Sequence, residues 1–235
     1  MDKLDYADMF VDEFREAVDK TPTAFVPLGL LEWHGEHLAL GCDLLRAQEL
    51  CRLLARAHGG VVLPPSYFSC PGFSAFEGTI DFPPEVAAPV LTALFHQLQK
   101  VGFRTAVLVS GHGGTPQERM VDAAIHAYAQ DGTMRVIPVF AGKLLGGNEK
   151  PPHATPRETA VLKAVRPDAV DVSRFTPGKE YEIAYDLGEA YAKRARTWRI
   201  TDTDIRTQPL HAMGREALDK LVRMVGELLQ GKRAP

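Results

Sequence analysis

The spacing of apolar and polar positions changes several times along the chain, and each change predicts an element. Up to residue 20 the apolar positions Phe10, Phe14, Ala17 and Val18 share one helical face, so a surface helix is expected over 1–20, broken by Thr21-Pro22. The continuous apolar run Ala24–Leu30 predicts a short buried strand ending in the polar turn Leu31-Glu32-Trp33-His34-Gly35. Leu44, Ala47, Leu50, Leu53 and Leu54 recur at helical spacing and predict a helix over Leu44–His58, stopped by Gly59-Gly60. A strand follows over Val61–Leu63, then a long loop from Pro64 to Pro84 rich in proline, glycine and aromatic residues. A helix is expected over Pro84–Lys100, with Gly102 as its stop. Next come a strand over Thr105–Val109 that enters Ser110-Gly111-His112-Gly113-Gly114, a helix from Pro116 to Ala129, and a strand over Arg135–Phe140.

Strands alternating with helices imply a three-layer α/β/α fold around a mostly parallel sheet. Such sheets hold their sites at the carboxyl ends of strands. Two polar clusters, Glu32–His34 and His112, directly follow predicted strands. Beyond residue 140 the pattern weakens. Helices are expected over Pro156–Ala164 and His211–Leu229, and Ser173–Thr207 reads as irregular with one helix near Leu187–Ala195. With no composition break or repeat, residues 1–235 are expected to form one domain.

Composition narrows the class. The chain has 235 residues, 45% hydrophobic and 24% charged, which excludes a disordered tail, a collagen-like fibre and a coiled coil. A formal net charge of -3 gives no basic surplus for nucleic acid. No stretch approaches the roughly 18 apolar residues of a membrane span, and the acidic, amphipathic start is unlike a signal peptide, so a cytoplasmic protein is expected. Cys42, Cys51 and Cys70 fit neither a disulfide framework nor a CxxC zinc site, and Cys42 reads as a small buried residue. The informative residue is histidine, present eight times.

Glu32 and His34 are two positions apart, so on an extended backbone they project to the same side. Gly35 permits a reversal that can bring Asp43 back over the same point. A carboxylate and an imidazole projecting together begin a divalent metal site for Zn, Mn or Fe. The competing reading makes Asp43 a helix cap and leaves Glu32 and His34 in a solvated loop. Gly111-His112-Gly113-Gly114 lies between strand and helix, where a helix N-terminus favours anions. It lacks both the GK[ST] ending and GxGxxG, which argues against a phosphate- or nucleotide-binding loop. Farther on, Thr155-x-x-Glu158 with Pro156 reads as a capping box, and His153 precedes it.

In order and spacing the three segments resemble the creatininase (creatinine amidohydrolase) family across roughly residues 20–170. The resemblance is carried by Glu32-x-His34-Gly35-x-His37-Leu38 with Asp43, by Gly111-His112-Gly113-Gly114, and by His153 with Glu158-Thr159. It implies a creatininase-like hydrolase with two divalent ions per chain. Glu32 and His112 would hold one ion, His34 the other, and Asp43 would bridge them. Gly114 stands where family members with a G-H-x-E-N motif carry a glutamate ligand, and Glu158 is the candidate to complete the set. His153 would give the leaving nitrogen its proton, and His37 would support the site from behind. The implied activity is hydrolysis of a C–N bond in a small cyclic or linear amide by a metal-activated water. The alternative is a non-catalytic member that binds a metal or small ligand. The family's closed oligomers imply a homo-oligomer, a hexamer among the options, with no nucleic-acid or membrane partner.

The chain departs from the family at Trp33, Glu36, Ala39 and Thr115, and Glu36 is expected to be solvated. Gly146–Pro152 lacks the tryptophans that true creatininases carry in this region, so a substrate other than creatinine is expected. Phe68, Phe73, Phe76 and Phe82 are expected to pack the long loop, and His58, His96, His126 and His211 to have ordinary helix positions.

Overall fold

The computed structural model describes residues 3–144, 153–188 and 196–232. β1 (Thr23–Leu28), β2 (Val61–Val62), β3 (Thr105–Ser110) and β4 (Arg135–Phe140) form one parallel sheet in the order β2-β1-β3-β4. β1 pairs with β3 from Thr23↔Thr105 to Leu28↔Ser110, so the two central strands end level.

Both faces of the sheet are covered, which is why its strands read as unbroken apolar runs. The helices are α1 (Val11–Lys20), α2 (Cys42–His58), α3 (Pro84–Lys100), α4 (Thr115–Tyr128), α5 (Ala141–Leu144), α6 (Pro156–Val165) and α7 (Leu210–Leu229). Successive strand residues point to opposite faces. Ala24, Val26, Leu28, Ala106 and Leu108 pack against Leu91 and Phe95 of α3 and Met120 and Ala124 of α4, with Phe14, Ala17 and Val18 of α1 alongside. Phe25, Val107 and Val109 pack on the other face against Leu50 and Leu54 of α2 and Leu221 and Val225 of α7. Each fully buried Leu, Val or Phe contributes about 1.5–3 kcal/mol relative to exposure. The fold is thus three-layered α/β/α around a parallel sheet, as the alternation of elements implies.

A third apolar cluster lies beyond the carboxyl end of the sheet. It joins Trp33, Leu38, Cys42 and Phe76 to Leu162 of α6 and to Phe175, Ile200 and Ile205. Trp198 and Tyr181 at its edge face each other across an antiparallel hairpin of β5 (Glu180–Glu182) and β6 (Thr197–Arg199).

Several boundaries differ from the sequence expectation. The first helix does not run from the start: a single 3-10 turn occupies Tyr6–Asp8, and Met9 and Phe10 are extended. The Glu13 carboxylate accepts the Phe10 N–H at 2.7 Å and so opens a separate helix. Phe10, expected on the buried face, is 72% exposed. The first strand stops at Leu28, two residues early, and Leu31 instead bridges to Ile80 of the long loop. Ser173–Thr207, expected as irregular, contains the hairpin. The helix expected near Leu187–Ala195 lies, from residue 189 on, outside the described residues. No described helix is long and apolar enough to cross a membrane.

Candidate metal centre

β1 and β3 are neighbours, but the chain continues from β1 to β2 on one side and from β3 to β4 on the other. That reversal opens a crevice at the carboxyl ends of the central strands, where open α/β sheets bind ligands. Glu32 and His34 follow β1, and His112 follows β3. The third arrival is the first turn of α2. A Cβ on Gly111 would lie 2.1 Å from the Asp43 carbonyl oxygen, so only glycine lets that turn press against the end of β3. Gly41 occupies the N-cap position, and Asp43 is the second helical residue. Its carboxylate is 1% exposed and turned into the crevice, so it does not cap its own helix.

Glu32, His34, Asp43 and His112 meet in this crevice. His112 Nδ1 lies 3.2 Å from Asp43 Oδ2 and 3.3 Å from Glu32 Oε2. His34 Nε2 lies 3.3 Å from the other Asp43 oxygen, Oδ1. Donor atoms fall within 4.8 Å of one another in three groups: Glu32, Asp43 and His112; His34, Cys42 and Asp43; and Glu32, His34 and His153. Asp43 belongs to two of these groups and presents a different oxygen to each histidine.

The donor set suits divalent cations. Two carboxylates at 1% exposure are costly to bury without positive partners. Burial alone would push the His112 imidazole down, but the facing Glu32 and Asp43 carboxylates raise it to about 10. Burial likewise opposes a charge on His34, and Cys42 and Asp43 outweigh it, so its value sits well above the ordinary imidazole range. Burial would raise the Asp43 carboxyl, but His34 and His112 hold it well below the usual carboxylate range. The pocket therefore favours positive charge at these nitrogens, the role a dication takes on. The backbone is arranged to match. His34 Nδ1 lies 3.1 Å from the Glu32 carbonyl oxygen, which can only accept, so Nδ1–H is held there and Nε2 faces the crevice, where loss of its proton would give a metal its lone pair. Glu32 Oε1 accepts the Phe73 N–H at 2.6 Å, and a Cβ on Gly72 would come within 1.8 Å of that oxygen. The loop thus forms a close cradle that holds the carboxylate.

Glu158 is placed differently from the other expected ligands. The capping box is present, with Thr155 Oγ1 accepting the Glu158 N–H at 3.2 Å and Glu158 Oε2 accepting the Thr155 N–H at 3.4 Å. Its other oxygen, Oε1, lies 2.9 Å from Arg46 Nη2. Glu158 belongs to none of the three donor groups found among the described residues. Sequence reasoning missed Arg46, which is 2% exposed and donates to Asp43 Oδ1 at 3.1 Å and to the Gly111 carbonyl at 2.6 Å. Its signal was an arginine on the buried face of α2, three residues after Asp43.

His153 is buried against the cluster. Its ring stacks on Phe73 with centroids 3.7 Å apart and lies 4.3 Å from the His34 ring. Burial and the neighbouring His34 hold its pKa well below the ordinary imidazole range, so it is neutral. Nε2 lies 2.6 Å from the Trp33 carbonyl oxygen. The carbonyl accepts, so the proton is on Nε2 and Nδ1 carries a lone pair. His37 turns away from the donor groups. Its Nε2 donates to Thr159 Oγ1 at 3.0 Å, because that hydroxyl donates onward to the Thr155 carbonyl. It thereby ties the loop after β1 to α6. Glu36 is exposed and pairs with Lys179 at 2.6 Å.

A cavity of about 670 Å³ opens over the cluster. Glu32, His34, Asp43, His112 and His153 form its floor, and Phe73, Phe140 and Trp198 contribute apolar wall. That volume suits a small molecule or a short segment of chain. Trp198 was not singled out by sequence reasoning. Its indole N–H is buried without a hydrogen-bond partner among the described residues.

Comparison with known proteins agrees with this geometry. A family model described as Creatininase, creatinine amidohydrolase, matches residues 7–228. A mycofactocin precursor peptide peptidase of Mycobacterium ulcerans is 30% identical over 173 residues, 69% of this chain and 66% of that protein. Creatinine amidohydrolase of Pseudomonas putida is 23% identical over 175 residues, 63% of this chain and 66% of the relative. The chain thus spans about two thirds of the length of these relatives. Among solved structures, creatinine amidohydrolase superposes with a TM-score of 0.76 at 19% identity, covering 100% of both chains. A manganese form of creatininase superposes with a TM-score of 0.74 at 18% identity, covering 99% of this chain and 100% of the other.

Proposed function

Because the chain belongs to the creatininase family, we propose that it is a metal-dependent amidohydrolase that cleaves a C–N bond in a small cyclic amide, a linear amide or a short peptide. The observation that carries the reading is the buried meeting of Glu32, His34, Asp43 and His112 on the floor of the cavity, with neutral His153 beside them. Mixed carboxylate and imidazole donors suit Zn, Mn or Fe. Glu32, Asp43 and His112 would hold one ion and His34 with Asp43 the other, giving two ions per chain.

Bound there, divalent ions supply Lewis acidity, which polarises an amide carbonyl and makes a water acidic enough to attack near neutral pH. The remaining work falls to the chain's own groups. Arg46 and the Phe73 N–H hold the Asp43 and Glu32 carboxylates in place. His153, fixed through Nε2–H, has its Nδ1 lone pair free of that contact and can take a proton from the attacking water. The water oxygen forms the new C–O bond, the C–N bond breaks, and the same proton passes from Nδ1 to the leaving nitrogen. His153 thus begins the cycle as a base and then serves as the donor that the resemblance implies. Phe73, stacked on it, keeps bulk water off the ring.

Two kinds of relative support an amide substrate: one is named a peptide peptidase and another a creatinine amidohydrolase. A panel of cyclic amides, linear amides and short peptides, assayed before and after chelation and metal restoration, tests the proposal. Hydrolysis that disappears on chelation and returns with metal supports it. Tight metal binding with no hydrolysis across the panel would move the protein to the ligand-binding alternative.

A further inference from the structure

His34 and Asp43 give the second ion only two protein donors, fewer than the three that catalytic zinc sites keep beside their open position. The third member of their donor group is a thiol: His34, Asp43 and Cys42 offer ligand atoms that all lie within 4.8 Å of one another. Gly114, where the resemblance places a ligand, has no side chain to offer, and its φ of +95 disfavours one. We propose that Cys42 is a metal ligand that completes a His34–Asp43–Cys42 site for zinc or another thiophilic divalent ion.

The geometry supports the thiol in several ways. Cys42 and Asp43 are consecutive at the start of α2, held by Gly41 at the N-cap, so one helical turn delivers both donors together. Cys42 is 0% exposed, which limits its access to external oxidants. Its histidine partner has the orientation of a metal ligand, with Nδ1–H fixed on a backbone carbonyl and Nε2 turned toward Asp43 in the crevice. The other two thiols lie elsewhere, Cys51 in the cluster behind α2 and Cys70 in the cluster on the opposite face of the sheet. Neither appears in a donor group among the described residues.

The two sites would then differ in chemistry. Glu32, Asp43 and His112 offer nitrogen and oxygen donors, which accept Mn or Zn alike. The Cys42 site has a soft donor and selects Zn, Fe or Co over Mn and Mg. Filling it forms a metal–sulfur bond and releases the thiol proton to solvent. This inference rests on the proposed metal centre, and its test separates the two.

Metal-free protein titrated with cobalt(II) and followed by ultraviolet–visible absorption reads sulfur ligation directly. The wild type should bind two equivalents, one of them raising a sulfur-to-cobalt charge-transfer band. Cys42→Ser should lose that band while keeping the weaker visible bands of nitrogen- and oxygen-bound cobalt, which also report that the variant is folded. Should Cys42→Ser fail to fold, persistence of the band in both Cys51→Ala and Cys70→Ser assigns it to Cys42 by elimination. Cobalt bound with no sulfur band, or a band that survives Cys42→Ser, would overturn the Cys42 site and leave the metal centre standing. No cobalt binding at all would overturn both.

Discussion

Glu158 Oε1 lies 2.9 Å from Arg46 Nη2, and the same guanidinium nitrogen donates to Asp43 Oδ1 at 3.1 Å. One buried arginine therefore stands between the donor cluster and the carboxylate expected to be its fifth ligand. The contacts link Glu158 to Asp43 through Arg46, and we propose a positioning role for Glu158 on that ground.

Glu158→Gln should keep the full metal content, because that carboxylate lies outside the donor groups found among the described residues. Stability should fall by about 1–3 kcal/mol as the buried Arg46 loses a charged partner. Elemental analysis of the purified variant beside a urea unfolding curve checks both halves. Loss of one ion per chain would return Glu158 to the ligand set.

His153→Ala should separate binding from chemistry. The residue donates through Nε2 to a backbone carbonyl and is assigned no ion, so metal content should match the wild type. Removing the proton carrier should lower kcat about 10²–10⁴-fold. An equal loss of metal and activity would make His153 a ligand, consistent with its place in the group with Glu32 and His34.

Gly72→Ala tests the cradle around Glu32. The added Cβ would meet Glu32 Oε1 at 1.8 Å and His112 Cε1 at 2.8 Å, so these side chains must move. Gly72 lies in a loop, and the sheet and its two helical layers should remain intact by circular dichroism. Metal affinity should fall roughly 10–100-fold, the usual effect of disturbing groups that orient ligands. Wild-type affinity in this variant would mean that the loop does not set the carboxylate's position.

Metal binding should release protons. In the metal-free protein the His112 imidazole is raised to about 10 and His34 also stands above its ordinary value, so both are protonated near pH 7. An imidazole must lose its proton to ligate a metal, so affinity should weaken as the pH falls below these values. Isothermal titration of the metal in buffers of different ionisation enthalpy counts the protons. No release near pH 7 would contradict the assignment of these two imidazoles.

The sheet was readable in the sequence because both of its faces are buried, so Ala24–Leu28 and Thr105–Val109 carry no polar interruption. The β5–β6 hairpin was not readable. Each strand has three residues, its mostly charged and polar positions give no apolar run, and its pairing closes over a long insertion. At the site, Glu32, His34 and His112 stood out because they follow strand ends, and the structure brings them together with Asp43. Arg46 was hidden because an arginine on a helix reads as surface until the burial of its face is known. Cys42 is the small buried residue the sequence suggests, and only the fold brings it close to His34. From residue chemistry alone His153 was visible only as a neighbour of a capping box, and its expected role came from the family resemblance. Its contact with Trp33 spans 120 residues and depends on the tertiary fold.

Anomalous difference density at the zinc and manganese edges, measured on crystals of metal-loaded protein, tests the central claim most directly. The account predicts two peaks per chain that share the Asp43 carboxylate, one contacting Glu32 and His112 and the other contacting His34. Absence of any peak between Asp43 and these histidines in protein loaded with metal would contradict it.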